Sequence, residues 1–477
     1  MPRRSSRHAF TWNAVAQAAT ALSQLAVTLA LVRVLDAEAF GRVAMVYLVA
    51  GLLAVLDEGS LATRLMSTRE DAPDRLSAVL YLESSLGLAL ALLAALAAPV
   101  LGYAFEQPDL PRFLLPLAPL FAVSGPKRFY QTLFQRELAF GEIARVRVLA
   151  AVLFVGVTVG CAVGGLGVWS LVTGLVVRVA TESVGICAYG LREFVPRRPS
   201  FEALRSGYGR PGLAKVGERF LSYLVERVDL LIIGKALGPG ALGVYDVFRR
   251  FSLGLYQQVV PLFTRVAMPR FALLTDDPPV LAKAYTRELR TVCTLLFPAY
   301  LLQACYAEPI VRLVFGGEWV AYAAVFSWIS LLLLVRTVSI PVDALLMARG
   351  FVKREFVYSA CLVSLLAATL LYVVHDGLLA AVVAITWLHL ALTVPTYWWV
   401  VRPASSVRTA ALLRAIGWPL ALSVLTIGGS YLALRLALRQ NPGTVLASAG
   451  TGVVIYAAVV AWRASSSHIR AEAYAKR

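Results

Sequence analysis

Long blocks of apolar residues, separated by short polar stretches, run along the whole chain. Each block has roughly the 20 residues that a helix needs to cross the ~30 Å hydrocarbon core of a bilayer, whereas a soluble core uses shorter periodic runs. The pattern predicts an all-α polytopic membrane protein with about fourteen transmembrane helices. We number the predicted spans 1 to 14 in chain order, at residues 10–32, 41–62, 78–103, 113–133, 146–164, 167–190, 213–235, 243–265, 291–315, 320–346, 356–374, 377–401, 411–435 and 444–462.

Positive charge alternates between the connections. The N-terminus and every second connection carry arginine or lysine, as at 191–212 and 266–290. The intervening connections, such as Gly164–Gly167 and Gly316–Trp319, are short and nearly uncharged. Because cytoplasmic loops are enriched in Lys and Arg, we expect both termini to be cytoplasmic.

Composition supports the membrane prediction and narrows the function. Hydrophobic residues make up 59% of the 477 residues and charged residues 15%, against about 25% charged in a typical soluble domain. The net charge is +17, but the basic residues stand in short clusters between apolar blocks, so we expect no nucleic-acid partner. The five cysteines lie scattered in apolar segments without ligand spacing, so neither a metal site nor a cofactor is predicted.

A short internal repeat predicts two lobes. Arg33–Gly41 aligns without gaps on Lys235–Gly243, and each stretch joins the first two helices of a six-helix group. Since six is even, both groups insert in the same direction and form a parallel pseudo-repeat around a central cavity. The predicted domains are an N-terminal six-helix lobe at 1–190, a cytoplasmic linker at 191–212, a C-terminal six-helix lobe at 213–401, and two extra helices with a cytoplasmic tail at 402–477.

Ionisable residues inside or at the ends of the spans mark candidate functional positions. Each costs about 2.5–3.5 kcal/mol to insert, so it is expected to face a cavity or a partner. Most lie on one half of span 7 and at the start of span 8. The candidate substrate-binding residues are Arg33, Arg219, Arg227, Lys235, Arg249, Arg250 and Arg336. The candidate ion-coupling or structural pairing residues are Glu218, Glu226, Asp229, Asp246 and Asp343.

Two interpretations of the charges on spans 7 and 8 stay open. Arginines in a cationic lumen would hold a pyrophosphate through bidentate hydrogen bonds. Alternatively, ion pairs such as Asp229 with Arg249 or Arg250 would hold the two helices together.

Two further sets of charges lie outside these spans. Arg178 and Glu182, four residues apart on span 6, are predicted to form a local pair. Arg33 and Lys235 end their helices at the predicted outer surface. There they either extend to the membrane interface or act as a pair at the mouth of the cavity.

Several stretches, taken in order, resemble the polysaccharide-transporter branch of the multidrug/oligosaccharidyl-lipid/polysaccharide exporter superfamily. They are Arg33–Gly41, Asp57–Gly59, Gln135–Phe140, Gly165–Trp169, Asp229–Tyr245 and Phe315–Trp319. Gln135–Phe140 is similar in particular to the colanic-acid and teichuronic-acid exporters. Glu226 departs from the pattern, because an amide is expected at that position.

The resemblance implies a flippase that moves undecaprenyl-pyrophosphate-linked oligosaccharide repeat units from the cytoplasmic to the external leaflet by alternating access. Its product would serve exopolysaccharide, capsule or O-antigen biosynthesis. The implied location is the bacterial inner membrane, and the implied partners are membrane lipid and the polymerase and chain-length proteins of the same pathway. Helices 13 and 14 are expected to lie outside the two lobes and to offer a surface for the isoprenoid tail.

Two other functions are weighed against a flippase. A multidrug or cation antiporter of the same superfamily usually has twelve helices and a carboxylate-rich site, whereas this chain has two extra helices and arginines in its spans. A polytopic glycosyltransferase would keep acidic residues in the first external loop. Asp36–Glu38 is better explained as a turn, because its repeat counterpart Gly238–Gly240 has no carboxylate. No catalytic residue is predicted, and we do not expect an enzyme.

Overall fold

The computed structural model describes residues 6–58, 72–200, 212–436 and 442–475, and every regular element within these ranges is helical. Nine of the described helical segments are long and apolar enough to cross a bilayer by length and composition. Together with the more polar or interrupted helices, they account for all fourteen predicted spans. The chain is an all-α polytopic membrane protein, as the hydrophobic pattern predicts.

The first half of the chain contains spans 1 to 6. Its helices lie at Ser6–Leu31, Ala37–Glu58, Pro73–Ala104, Leu110–Leu114, Ala118–Arg136, Phe140–Val163 and Val168–Glu193, with a 3-10 turn at Leu115–Leu117. Spans 7 and 8 then follow within Gly212–Leu273 as two helices that meet at a kink, and we call the pair the bent helix. The bend is at Gly238, where φ is 78° and ψ is −176°, a conformation that glycine adopts without steric cost.

The second half contains spans 9 to 14, several of them interrupted. Its α-helices lie at Pro278–Cys305, Ala307–Val314, Ala323–Thr337, Ile340–Ala348, Val352–Val373, Leu378–Thr396, Arg402–Ser405, Thr409–Ser423, Gly429–Leu436 and Pro442–Ala475. Short 3-10 or π-helical segments lie at Gly317–Tyr322, Val374–Asp376, Tyr397–Val401 and Val424–Gly428. A π-helical turn inside an α-helix widens the local hydrogen-bond ladder and is frequent at functional sites.

The structure corrects the helix ends around 266–290, which the sequence suggested as a long polar connection. One helix continues to Leu273 and the next starts at Pro278. The Asp277 carboxylate accepts a hydrogen bond from the Val280 N–H at 3.2 Å and caps the new helix. A capping carboxylate followed by proline is a strong helix start, so these polar residues lengthen the helices instead of forming a loop.

The chain packs into two compact units, residues 1–246 and 247–477. The division falls inside the bent helix, later than the predicted linker at 191–212. Residues 213–246 therefore pack with the N-terminal unit, although the sequence predicts them as the start of the second lobe. The lobe boundaries at 190 and 213 stay a prediction based on the repeat.

The N-terminal unit shows how an apolar helix divides its surface between protein and lipid. On the helix Pro73–Ala104, Leu90 and Ala98 are buried, whereas Leu96 and Val100 are 72% and 65% exposed. In water such exposed leucine and valine would be costly, but a bilayer solvates them. Both faces of this helix are apolar because one face contacts the apolar protein interior and the other contacts lipid.

The C-terminal unit holds spans 13 and 14 against span 9. The Tyr306 hydroxyl lies 3.1 Å from the Oγ atoms of both Ser430 and Ser448. The Tyr456 hydroxyl donates to the carbonyl oxygen of Thr294 at 2.8 Å. These bonds tie the two extra helices to the body of this unit.

Candidate functional site

A buried ion pair joins spans 3 and 4 in the N-terminal unit. Glu83 is fully buried, and its Oε2 accepts hydrogen bonds from Nε of Arg128 at 3.2 Å and from Nη2 at 3.1 Å. Nη1 of Arg128 donates to Oγ of Ser124 at 3.2 Å. Hydrogen bonds between ionised groups are roughly twice as strong as neutral ones. All three guanidinium nitrogens of Arg128 are therefore committed to partners within the protein.

Glycines bring the backbones of these two helices together. A Cβ on Gly125 would overlap the carbonyl oxygen of Glu83, and a Cβ on Gly87 would come within 2.6 Å of the carbonyl oxygen of Phe121. Small residues permit such close packing of membrane helices. Arg128 lies three residues after Gly125 and thus on the same face. The close approach of the helices therefore places Arg128 against Glu83.

A second set of charged side chains lies on spans 4, 5 and 6. Lys127 is half-buried and interacts electrostatically with Glu182, Arg147 and Arg178. The predicted local pair on span 6 is confirmed, since Nε of Arg178 lies 3.4 Å from Oε1 of Glu182. The guanidinium of Arg178 also lies 5.6 Å from the ring centroid of Phe154, in range for a cation–π interaction.

These side chains form one charged region inside the predicted membrane spans. We define the N-terminal charged cluster as Lys127, Arg147, Arg178 and Glu182. It has three basic residues and one acidic residue, so its formal charge is +2 (3 − 1). A cationic group of this kind in a low dielectric attracts an anion strongly, and arginine suits a phosphate because its fork is planar.

Three residues of the buried pair and the cluster were not predicted as functional from the sequence. Lys127 and Arg128 lie within predicted span 4, and Glu83 lies within predicted span 3. A charge inside a span is costly, and this argument, which selected the charged residues of span 7, holds equally for these three residues. Two adjacent cations in an apolar block were therefore a usable signal.

Two acidic predicted residues on span 7 have different environments. Asp229 is buried, and its Oδ2 accepts a hydrogen bond from the Tyr245 hydroxyl at 2.6 Å. Its Oδ1 accepts from the backbone N–H of Leu230 at 2.9 Å. Glu226, by contrast, is exposed. Asp229 therefore fixes the start of span 8 to span 7 through a tyrosine hydroxyl, a partner that the sequence did not predict.

The other charged residues of the bent helix also differ in how deeply they are buried. Arg227 is half-buried, and among the described residues its Nε has no hydrogen-bond partner. Asp246 and Arg249 are buried, whereas Arg250 is exposed. The side chains of Glu218 and Arg219 lie outside the part of the chain that the structure describes. The predicted common face is thus divided among buried and exposed positions.

The predicted outer end of span 7 is held by Lys235. Its Nζ donates to the carbonyl oxygen of Ala104, at the end of the helix Pro73–Ala104, and lies 3.1 Å from Oε1 of Glu106. The repeat counterpart Arg33 is exposed. A cation at a helix C-terminus is favourable because the last carbonyls carry partial negative charge. Lys235 is therefore engaged with the protein.

Arg336 and Asp343 on span 10 differ in their exposure. Arg336 is half-buried and lines a small cavity in the C-terminal unit, whereas Asp343 is exposed. The other polar residues around this cavity are Ser339, Tyr358, His389, Thr393 and Thr396. Nδ1 of His389 lies 2.9 Å from the carbonyl oxygen of Ile385, one turn earlier on its own helix.

A sequence model described as "Polysaccharide biosynthesis protein" matches residues 30–324, more than half of the chain. The lipopolysaccharide biosynthesis protein WzxC of Escherichia coli (strain K12) is 24% identical, over 90% of this chain and 87% of that protein. The teichuronic acid biosynthesis protein TuaB of Bacillus subtilis (strain 168) is 22% identical, over 72% of this chain and 70% of that protein.

Among solved structures, the lipid II flippase MurJ in an inward closed conformation is similar over 94% of this chain and 98% of its own length. The TM-score is 0.71 and the sequence identity is 13%. The TM-score shows that the two proteins share a fold.

Proposed function

The chain belongs to the polysaccharide biosynthesis protein family, and on this premise we propose that it is a flippase for lipid-linked oligosaccharides. The family match confirms the resemblance carried by the sequence motifs. The relatives are named for lipopolysaccharide and teichuronic acid biosynthesis, and the structural neighbour is a lipid II flippase. The substrate we propose is an oligosaccharide repeat unit on undecaprenyl pyrophosphate, moved from the cytoplasmic to the external leaflet for exopolysaccharide, capsule or O-antigen biosynthesis.

The N-terminal charged cluster is the observation that carries the proposal. A pyrophosphate must be moved through a medium that penalises charge, so the carrier has to supply cations inside its spans. Arg128 lies outside this cluster and is already paired with Glu83 and Ser124, so we propose Lys127 and Arg178 as the cations that contact the ligand. The pair with Glu182 uses Nε of Arg178, and Nη1 and Nη2 are the donors that we propose for the phosphate.

The remaining assignments follow from the sequence pattern. Both termini are cytoplasmic, the protein lies in the bacterial inner membrane, and transport proceeds by alternating access between two lobes. We also propose Arg227, Arg249 and Arg250, which the sequence predicts as binding residues, as contacts of the substrate. A polymerase and chain-length proteins receive the exported unit.

Reconstitution of the purified protein into liposomes tests this function directly. The assay follows the transfer of a fluorescent oligosaccharide on undecaprenyl pyrophosphate from the inner to the outer leaflet. The matched control substrate carries the same oligosaccharide on undecaprenol without the pyrophosphate. We expect transfer of the first lipid and no transfer of the second, because the cluster recognises the anionic group.

Two results would contradict the proposal. Equal transfer of both lipids would remove the role of the pyrophosphate and of the charged cluster. No transfer of either lipid, together with exchange of a cationic drug for H⁺ or Na⁺, would identify an antiporter.

A further inference from the structure

The two copies of the sequence repeat touch each other at the same pair of positions. A Cβ on Gly41 would overlap the carbonyl oxygen of Pro239, and a Cβ on Gly243 would overlap the carbonyl oxygen of Ala37. In the repeat alignment Ala37 corresponds to Pro239 and Gly41 corresponds to Gly243, with the same offset in both cases (239 − 37 = 243 − 41). The contact is therefore reciprocal.

Reciprocity is the mark of a two-fold axis passing through a contact. In an isologous interface, residue i of one copy meets residue j of the other, and j meets i. Here both copies lie in one chain, at the turns that follow spans 1 and 7. The charge pattern predicts that these turns lie at the outer surface. Two equivalent helix starts, Ala37–Gly41 and Pro239–Gly243, thus cross backbone to backbone on this axis.

The contact continues inward along span 2. A Cβ on Gly234 would lie 3.6 Å from Cε of Met45. The Tyr223 hydroxyl donates to the carbonyl oxygen of Leu48 at 2.6 Å, and a Cβ on Gly51 would come within 2.6 Å of that hydroxyl. On span 2 these positions are spaced by three or four residues, so they form one helical face. One seam therefore runs from the crossing glycines to Tyr223.

We propose that this seam is the outer gate of the transporter and that it is closed in this structure; the assignment rests on the proposed flippase function. The crossing of Gly41 and Gly243 forms its outermost point. Beside it, Lys235 of the second repeat binds the carbonyl oxygen of Ala104 and the carboxylate of Glu106, which lie at and just after the end of the helix Pro73–Ala104 of span 3. A glycan leaving to the outside must separate these groups.

Glycine suits a gate for two physical reasons. Without side chains the two backbones meet closely enough to exclude water, as small residues allow between membrane helices. The atoms nearest to the two glycines belong to the opposite backbone, and the dispersion contacts between such atoms are individually weak. Any larger residue at either glycine would hold the crossing open, and the symmetry predicts the same effect at both positions.

Thiol labelling from outside the cell measures the state of the gate without reference to any substrate. In a variant whose five cysteines are replaced, Arg178→Cys places a reporter near the middle of span 6. We expect Gly41→Val and Gly243→Val each to raise the labelling rate by a membrane-impermeant maleimide about tenfold, since a modest bias shifts the population of open molecules. Gly240→Val is the matched control, because no atom lies within 4 Å of a Cβ there. Unchanged labelling in both valine variants at normal protein levels would overturn the proposal.

A second experiment applies if the valine variants do not accumulate. Glu106→Cys combined with Lys235→Cys places two exposed thiols across the seam, where a short bifunctional methanethiosulfonate can join them. We expect cross-linking to stop glycan export by the double variant that keeps Arg178. In a separate protein that also carries Arg178→Cys, cross-linking should keep this reporter unlabelled from outside, and dithiothreitol should reverse both effects. Glu106→Cys alone should export equally before and after the reagent. Full export by the cross-linked protein would show that export does not need the seam to open, and would overturn the gate. If no variant exports but the labelling changes as expected, the result counts against the flippase function alone.

Discussion

The buried pair between Glu83 and Arg128 gives a prediction with a defined magnitude. Glu83 has no exposed surface and Arg128 is 15% exposed, so bulk water screens their interaction little. Removing one partner of a buried pair leaves an uncompensated charge and costs about 3–5 kcal/mol. We therefore expect Glu83→Ala to lower the free energy of unfolding by that amount, toward the lower end because Ser124 still accepts from Arg128.

A double-mutant cycle measures this interaction separately from the cavity left by the glutamate. Unfolding of Glu83→Ala, Arg128→Met and the double variant is followed by titrating SDS into mixed micelles. Residues in direct contact couple by about 0.5–3 kcal/mol, and burial places this pair near the upper limit. The control is the exposed pair of Glu308 and Arg312, whose side chains are 55% and 65% exposed, so that Glu308→Ala should change stability by less than about 1 kcal/mol. A coupling energy near zero for the buried pair would refute the reasoning.

Three further predictions follow from the same structure. Arg178→Ala should reduce glycan export about tenfold without lowering the protein level, and Arg178→Lys should restore export only in part, because an ammonium lacks the planar fork. Export is measured by complementation of a deletion strain, and a large loss of protein in the alanine variant would indicate a structural role instead. Tyr245→Phe should destabilise the protein by about 1–3 kcal/mol, since Asp229 loses a hydrogen bond in a buried position, and SDS titration would contradict this if the two proteins unfold together. Reporter fusions ending at Gly316 and at Arg349 should lie on opposite sides of the membrane, and identical signals would contradict the topology.

The sequence alone determined the number and order of the helices. Apolar block length depends only on bilayer thickness, so the fourteen spans could be counted without knowing how they pack. Turn chemistry was equally local: Gly238, Gly316 and Gly377 have φ values of 78°, 106° and 104° at three predicted connections, where glycine is favoured. The pair of Arg178 and Glu182 was also predicted correctly, because residues four apart on a helix are neighbours whatever surrounds them.

Tertiary structure decided which residues meet across helices. The cost of an intramembrane charge indicated that Asp229 needs a partner, but only the fold shows that the Tyr245 hydroxyl supplies a hydrogen bond to it. In the same way, Glu83 and Arg128 are 45 residues apart in sequence and are joined because Gly125 lets two helices approach closely. The repeat at Gly41 and Gly243 was visible in the sequence, yet the reciprocal contact was not. Periodicity defines the faces of one helix, whereas the neighbour that covers each face depends on the packing of the whole unit.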